Sequence, residues 1–137
     1  MSHPISDFLD RVTDWAAHQP TIAAVALVGS HARGEARSDS DVDLVLLCEE
    51  PHVFLADTSW IHHFGEVRTC HMEDWGVVTS LRVHYTESFE VEFALTTLAW
   101  AGLPVDPGAR YVVSHGMRIL WDREGLLAQL QEAVSAS

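Results

Sequence analysis

The stretch Gly29-Ser30-His31-Ala32-Arg33-Gly34-Glu35-Ala36-Arg37-Ser38-Asp39-Ser40-Asp41-Val42-Asp43-Leu44 links two segments of strand character through a polar, glycine-containing turn. Before it, Thr21 to Val28 is a continuous β-branched and Ala-rich run closed by Gly29, which suits a strand buried on both faces. After it, Asp41 to Leu47 alternates. Val42, Leu44 and Leu46 fall on one face and Asp41, Asp43 and Val45 on the other, so the two aspartates share a side.

Outward from this centre, apolar residues at Ile5, Phe8, Leu9, Val12, Trp15 and Ala16 recur at helical spacing, predicting an amphipathic helix that ends near Gln19-Pro20. Pro51 to Phe64 predicts a second helix, closed by Gly65. Glu66 to His71 reads as a short strand, Met72 to Gly76 as a loop, and Val77 to Tyr85 as a longer strand turning at Thr86-Glu87-Ser88. The returning strand, Phe89 to Leu95, places Phe89, Val91, Phe93 and Leu95 on one face and Glu90, Glu92 and Ala94 on the other. A helix over Gly108 to His115, a strand over Arg118 to Trp121 and a terminal helix over Arg123 to Val134 complete the pattern. Periodicity by itself supports a single α and β mixed domain over residues 1–137.

The formal charge is -12, from 20 acidic and 8 basic residues, and every basic residue is Arg. A chain this acidic repels a nucleic acid backbone, which argues against a DNA- or RNA-binding module. It suits a cationic acceptor or a metal-bridged nucleotide, although an acidic surface that merely keeps a protein in solution is the commoner case. No stretch approaches the ~18 apolar residues of a membrane-spanning helix, and no basic-then-apolar leader opens the chain, so the expected location is cytoplasmic. The two cysteines, Cys48 and Cys70, stand far apart among apolar or β-branched neighbours and read as buried free thiols.

A glycine at a strand end lets the backbone approach phosphates closely, and the amides opening a short helix offer donors and a positive dipole end. Ser30 adds a hydroxyl. Two aspartates one strand residue apart point the same way and can hold hard divalent cations through oxygen, as Mg2+ on a triphosphate requires. Two such ions can flank an α-phosphate, one activating an incoming hydroxyl and the other neutralising the pyrophosphate leaving group. The alternative is an ordinary turn in which Ser40 and Asp41 cap local backbone. Against it stands the repulsion between paired carboxylates that lack a cation. Arg33 can reach a β- or γ-phosphate through paired donors, with a solvated loop charge as the competing reading; Arg37 has Glu35 and Asp39 as surface partners. His62, His63 and His71 lack the companion ligands that would make a zinc pattern.

The form G-S-x-A-R-G followed by S-D-x-D-L resembles the DNA polymerase β-like nucleotidyltransferase superfamily, and within it the minimal nucleotidyltransferases and the catalytic domain of aminoglycoside adenylyltransferases. The likeness runs from Ala24 to about Leu47, with weaker similarity at Phe64-Gly65-Glu66, the Glu73-Asp74 loop and Glu92-Phe93-Ala94-Leu95. It implies an α/β (α+β) fold with a mixed, mainly antiparallel sheet of about five strands and helices packed mainly on one face. It further implies Mg2+, two ions, at Asp41, Asp43 and a third carboxylate, Glu92, that also acts as base. Glu92 is a Glu where Asp is common, and Glu90 is a rival on the same face. Gly29, Ser30, Arg33 and Ser40 would bind the nucleotide.

The implied activity is transfer of a nucleoside monophosphate, AMP from ATP in the expected case, to a hydroxyl of a small-molecule or protein acceptor with release of pyrophosphate. A cationic acceptor such as an aminoglycoside fits the charge. The alternative implied by the same resemblance is the antitoxin of a toxin-antitoxin pair that binds or nucleotidylates a helical HEPN-type toxin.

Overall fold

A computed structural model describes residues 4–37, 41–86 and 89–136. Helix α1 (Pro4–Ala17) leads into strand β1 (Ile22–Val28), the one-turn helix α2 (Ser30–Arg33) and strand β2 (Val42–Cys48). The segment expected to be one helix divides into α3 (Pro51–Ala56) and a 3-10 helix (Ser59–Phe64). At the break, the Asp57 carboxylate accepts the Ser59 amide at 3.0 Å, a local side-chain bond that competes with helical continuation. Strands β3 (Val67–Asp74), β4 (Thr79–Tyr85) and β5 (Glu90–Thr97) follow, then a 3-10 helix (Leu98–Ala101), α4 (Pro107–Ser114), β6 (Met117–Asp122) and α5 (Leu126–Ser135). Helix α5 starts later than its apolar pattern suggested because the Asp122 carboxylate accepts the amides of Leu127 and Ala128 at 3.2 and 3.0 Å.

The six strands form one sheet in the order β3-β4-β5-β2-β1-β6, one strand more than expected. Among the described residues the β2–β5 pairing is parallel and the other four are antiparallel. Each face carries its own core. On the first face Phe8, Val12 and Trp15 of α1, Phe54 of α3, and Ile61 and Phe64 of the 3-10 helix pack on Leu27, Leu44, Leu46, Val83, Phe93 and Leu95. Trp15 stacks on Trp60 with centroids 5.1 Å apart, and Phe8 meets Phe64 edge-on at 5.8 Å. The polar handles within this layer are satisfied. Trp60 Nε1 donates to the Phe54 carbonyl at 2.9 Å and Tyr85 Oη to the Ile61 carbonyl at 2.8 Å.

The second face is covered over part of its area. Ala23, Ala24, Ala26, Val45 and Leu47 take up Trp100, Ala109, Val113, Leu127 and Leu130 from the second 3-10 helix, α4 and α5. The start of β2, the start of β5 and the middle of β4 on this face instead carry charged side chains. Strand β3 differs from its expected form. It runs on through Glu73 and Asp74, which the sequence suggested were loop, and as an edge strand it leaves Cys70 exposed while Cys48 is buried. No described helix is long and apolar enough to cross a membrane.

Candidate active site

Alternation along β2 sends Val42, Leu44 and Leu46 into the aromatic core and leaves Asp43 on the opposite face, half-buried. The parallel register pairs Asp43 with Glu92 of β5, and the antiparallel register pairs Glu92 with Arg82 of β4. Asp43, Glu92 and Arg82 therefore form a row across three adjacent strands. Asp41, at the mouth of β2, reaches the same place: Arg82 Nη1 donates to Asp41 Oδ2 at 3.2 Å and Nη2 to Glu92 Oε1 at 3.0 Å. Arg82 Nε donates to Glu73 Oε1 at 2.9 Å, and Glu90 Oε2 lies 3.9 Å from Nη1.

Four carboxyl groups thus lie within 4 Å of one guanidinium, with Asp43 beside Glu92 in the row, and the electrostatics record the imbalance. Burial, with Glu92 and Asp41 adding to it, pushes the Asp43 carboxyl up to about 6, against a smaller opposing pull from Arg82 and Arg33. Glu92 is likewise raised, chiefly by burial, with Arg82 opposing. Hydrogen bonding to Glu73 leads the forces that hold Arg82 firmly protonated.

Gly29 brings the α2 turn against this row. Its φ of 75° lies in the left-handed region, where a side chain is strained, and a Cβ there would press on Asp43 Oδ2 and displace that carboxylate. The Gly29 carbonyl accepts the amides of Ala32 and Arg33 at 3.1 and 3.2 Å, closing the turn that Ser30 opens. Arg33 lies along Gly116, where a Cβ would stand 2.8 Å from Arg33 Cγ. Its Nη1 donates to the His115 carbonyl at 3.3 Å, and its Nε is 3.7 Å from Glu35. Below Glu92 opens a cleft of about 280 Å3, bounded by Val28, Val45, Ala94, Trp75 and Trp100.

Of the residues singled out from sequence, Asp41, Asp43, Glu92, Gly29 and Ser30 converge on this corner of the sheet, and Arg33 borders it from the far end of α2. Ser40 lies outside the described residues. The register puts Glu92, not Glu90, beside Asp43, and the Glu92 side chain is the less exposed of the two, 23% against 33%. Arg82 was not anticipated, and Glu73, read from sequence as part of an acidic loop, was not expected to hold it. Among the described residues no three acidic, histidine or cysteine groups converge at metal-holding geometry, and the Arg82 fork bonds to both Asp41 and Glu92.

The pattern of the streptomycin adenylyltransferase family matches residues 4–135. Among solved structures, an aminoglycoside 6-adenyltransferase from Bacillus subtilis is similar with a TM-score of 0.59 and 15% identity, over 74% of this chain and 37% of that one. A nucleotidyltransferase-like protein from Exiguobacterium sibiricum 255-15 aligns with a TM-score of 0.47 and 19% identity, over 92% of this chain and 36% of that one. The chain therefore spans little more than a third of the length of either. Among curated proteins none matches.

Proposed function

The chain belongs to the streptomycin adenylyltransferase family, and on that premise we propose that it transfers a nucleoside monophosphate, AMP from ATP, to a hydroxyl of a small-molecule acceptor. The observation that carries this reading is the seat of Gly29 against the Asp43 carboxylate. It sets a turn suited to phosphate beside a carboxylate row suited to a cation, the two contacts that a metal-bound triphosphate makes at once.

In the transfer, the acceptor oxygen bonds to the α-phosphorus, the bond from that phosphorus to the β-phosphate oxygen breaks, and pyrophosphate leaves. Glu92 takes the acceptor's proton. Its raised pKa, caused mainly by burial, makes it a better base than an exposed glutamate. Ser30 and the opening amides of α2 hold the β- and γ-phosphates, with Arg33 at the far end of the turn to contribute charge.

Mg2+ fits the donor set. Asp41, Asp43 and Glu92 offer only carboxylate oxygens, and the Asp43 carboxyl, pushed up first by burial and then by its neighbours Glu92 and Asp41, has a charged form that a nearby cation would favour. These three residues would hold the ion, which when bound neutralises the triphosphate and lowers the pKa of the attacking hydroxyl. The net charge of -12 favours a cationic acceptor, such as the aminoglycosides that the Bacillus subtilis protein's name indicates. No observation favours the antitoxin alternative.

Radiolabelled ATP and UTP offered with a mixed acceptor panel, in Mg2+ and in Mn2+, test the proposal. Label from the α-phosphate appears on an acceptor if the reading is right. Label from the γ-phosphate on an acceptor, with none from the α-phosphate, refutes it.

A further inference from the structure

The corner proposed to hold a divalent ion already contains a cation of the protein's own. Arg82 projects from β4 into the row, and each of its three guanidinium nitrogens has a separate carboxylate partner. Nε goes to Glu73 at 2.9 Å, Nη1 to Asp41 at 3.2 Å and Nη2 to Glu92 at 3.0 Å. Two of these partners, Asp41 and Glu92, are the residues assigned above to the metal. Glu73 is not.

A planar fork spreads its acceptors across its width, whereas Mg2+ draws oxygens to roughly 2.0–2.1 Å of a single point. Each carboxylate gives the fork one oxygen, Asp41 Oδ2 and Glu92 Oε1, so drawing both groups to one ion pulls against the spread that the fork imposes. The asymmetry of the contacts points to how the conflict resolves: the short contacts of the terminal nitrogens are to the shared carboxylates, with Glu90 farther off at 3.9 Å from Nη1, while Nε is tied to a glutamate outside the metal set and on the edge strand β3.

We propose that Arg82 is the counter-cation of the metal-free site, and that a divalent ion competes with its terminal nitrogens for Asp41 and Glu92 while Glu73 keeps the arginine attached. Arg82 is thus a positioning residue. Without metal it holds the carboxylates in register against their mutual repulsion, and with metal it retires towards Glu73. The inference rests on the metal reading given above.

Two features follow. Removing the arginine's charge leaves a site that binds a divalent ion more tightly, since the ion no longer displaces a resident cation. Keeping the charge while removing the fork, as lysine does, retains most of the competition.

The test measures Mn2+ binding to the nucleotide-free full chain by calorimetry, together with thermal stability in EDTA. R82Q is expected to bind Mn2+ about tenfold more tightly than the parent, equivalent to ~1.4 kcal/mol, and to lose melting temperature in EDTA that Mn2+ restores. R82K is expected to return the affinity to within about threefold of the parent. Should R82Q fail to fold, the parent protein alone decides the matter by NMR of its arginine side chains. Saturating Mg2+ should shift the Arg82 Nη signals while the Nε proton stays protected by Glu73, and unmoved Nη signals at saturation overturn the proposal. A parent that binds Mn2+ alongside an R82Q that binds it equally or more weakly refutes the competition and leaves the metal reading standing. Absence of Mn2+ binding in parent and variant alike overturns both.

Discussion

The two faces of strands β4 and β5 are one residue apart in sequence and opposite in chemistry. Val91, Phe93 and Leu95 of β5, with Leu81, Val83 and Tyr85 of β4, are buried in the aromatic core. The residues between them, Glu90 and Glu92 on β5 and Arg82 and His84 on β4, stand half-buried on the other side. The first set converts apolar burial into stability. The second keeps carboxylates half-buried and close together, a cost that shows in Asp43, raised first by burial and then by Glu92 and Asp41, with Arg82 opposing. A stiff sheet that is heavily packed on one side can carry a repulsive constellation on the other without moving it.

That division can be broken most severely from the packed side. Phe93 is fully buried and touches Phe8, Trp60 and Phe64, so Phe93→Ala should cost about 3–5 kcal/mol of stability in urea unfolding. A loss below about 1 kcal/mol would mean that the aromatic layer does not carry the fold.

From the charged side, Glu92→Gln should leave stability within about 1 kcal/mol, yet lower the single-turnover transfer rate on the order of a hundredfold once an acceptor is identified. Glu90→Gln, two residues and roughly 7 Å along the strand, should change it little. A collapsed rate for Glu90→Gln with a full rate for Glu92→Gln would move the base to Glu90.

A smaller effect is expected at the turn. Ser30→Ala should weaken triphosphate binding by about 1–2 kcal/mol without altering the melting curve, the loss of one hydrogen bond to a charged group. Unchanged binding would leave Ser30 only a turn residue.

A last expected effect concerns the cost of the charged face itself. Burial first, then Glu92 and Asp41, push the folded Asp43 carboxyl from its ordinary 3.8 up to about 6, so the fold favours its protonated form. Its ionised form penalises folding above about pH 6, and the penalty fades as pH falls through that value towards 4. In EDTA, Asp43→Asn should accordingly be more stable than the parent at pH 7 and lose that advantage by pH 4. An advantage that grows on acidification would contradict the sign.

Much of this was legible in the sequence. The alternation from Asp41 to Leu47 placed both aspartates on the face opposite the core, and the parity of Phe89 to Leu95 did the same for Glu92. Strand pairing was harder to read, because it depends on register between segments distant in the chain. Arg82 was nevertheless within reach. Counting outward equally from Glu87, the centre of the expected turn, sets Arg82 opposite Glu92, which is the pairing observed. Strand β3 gave little warning of its length, since an edge strand pairs on one side only and its exposed residues show no burial alternation. Glu73 was hidden with it. The break at Asp57 depends on a side-chain bond to the next turn, which an apolar pattern does not record.

The claim on which the rest depends is that the Gly29 turn and the carboxylate row together bind a metal-bridged triphosphate. Calorimetry of ATP binding, with Mg2+ and again in EDTA, tests it directly and needs no acceptor. Binding should require Mg2+ and disappear when Asp41→Asn and Asp43→Asn are combined. Equal affinity in EDTA, or undiminished affinity in the double variant, would contradict it.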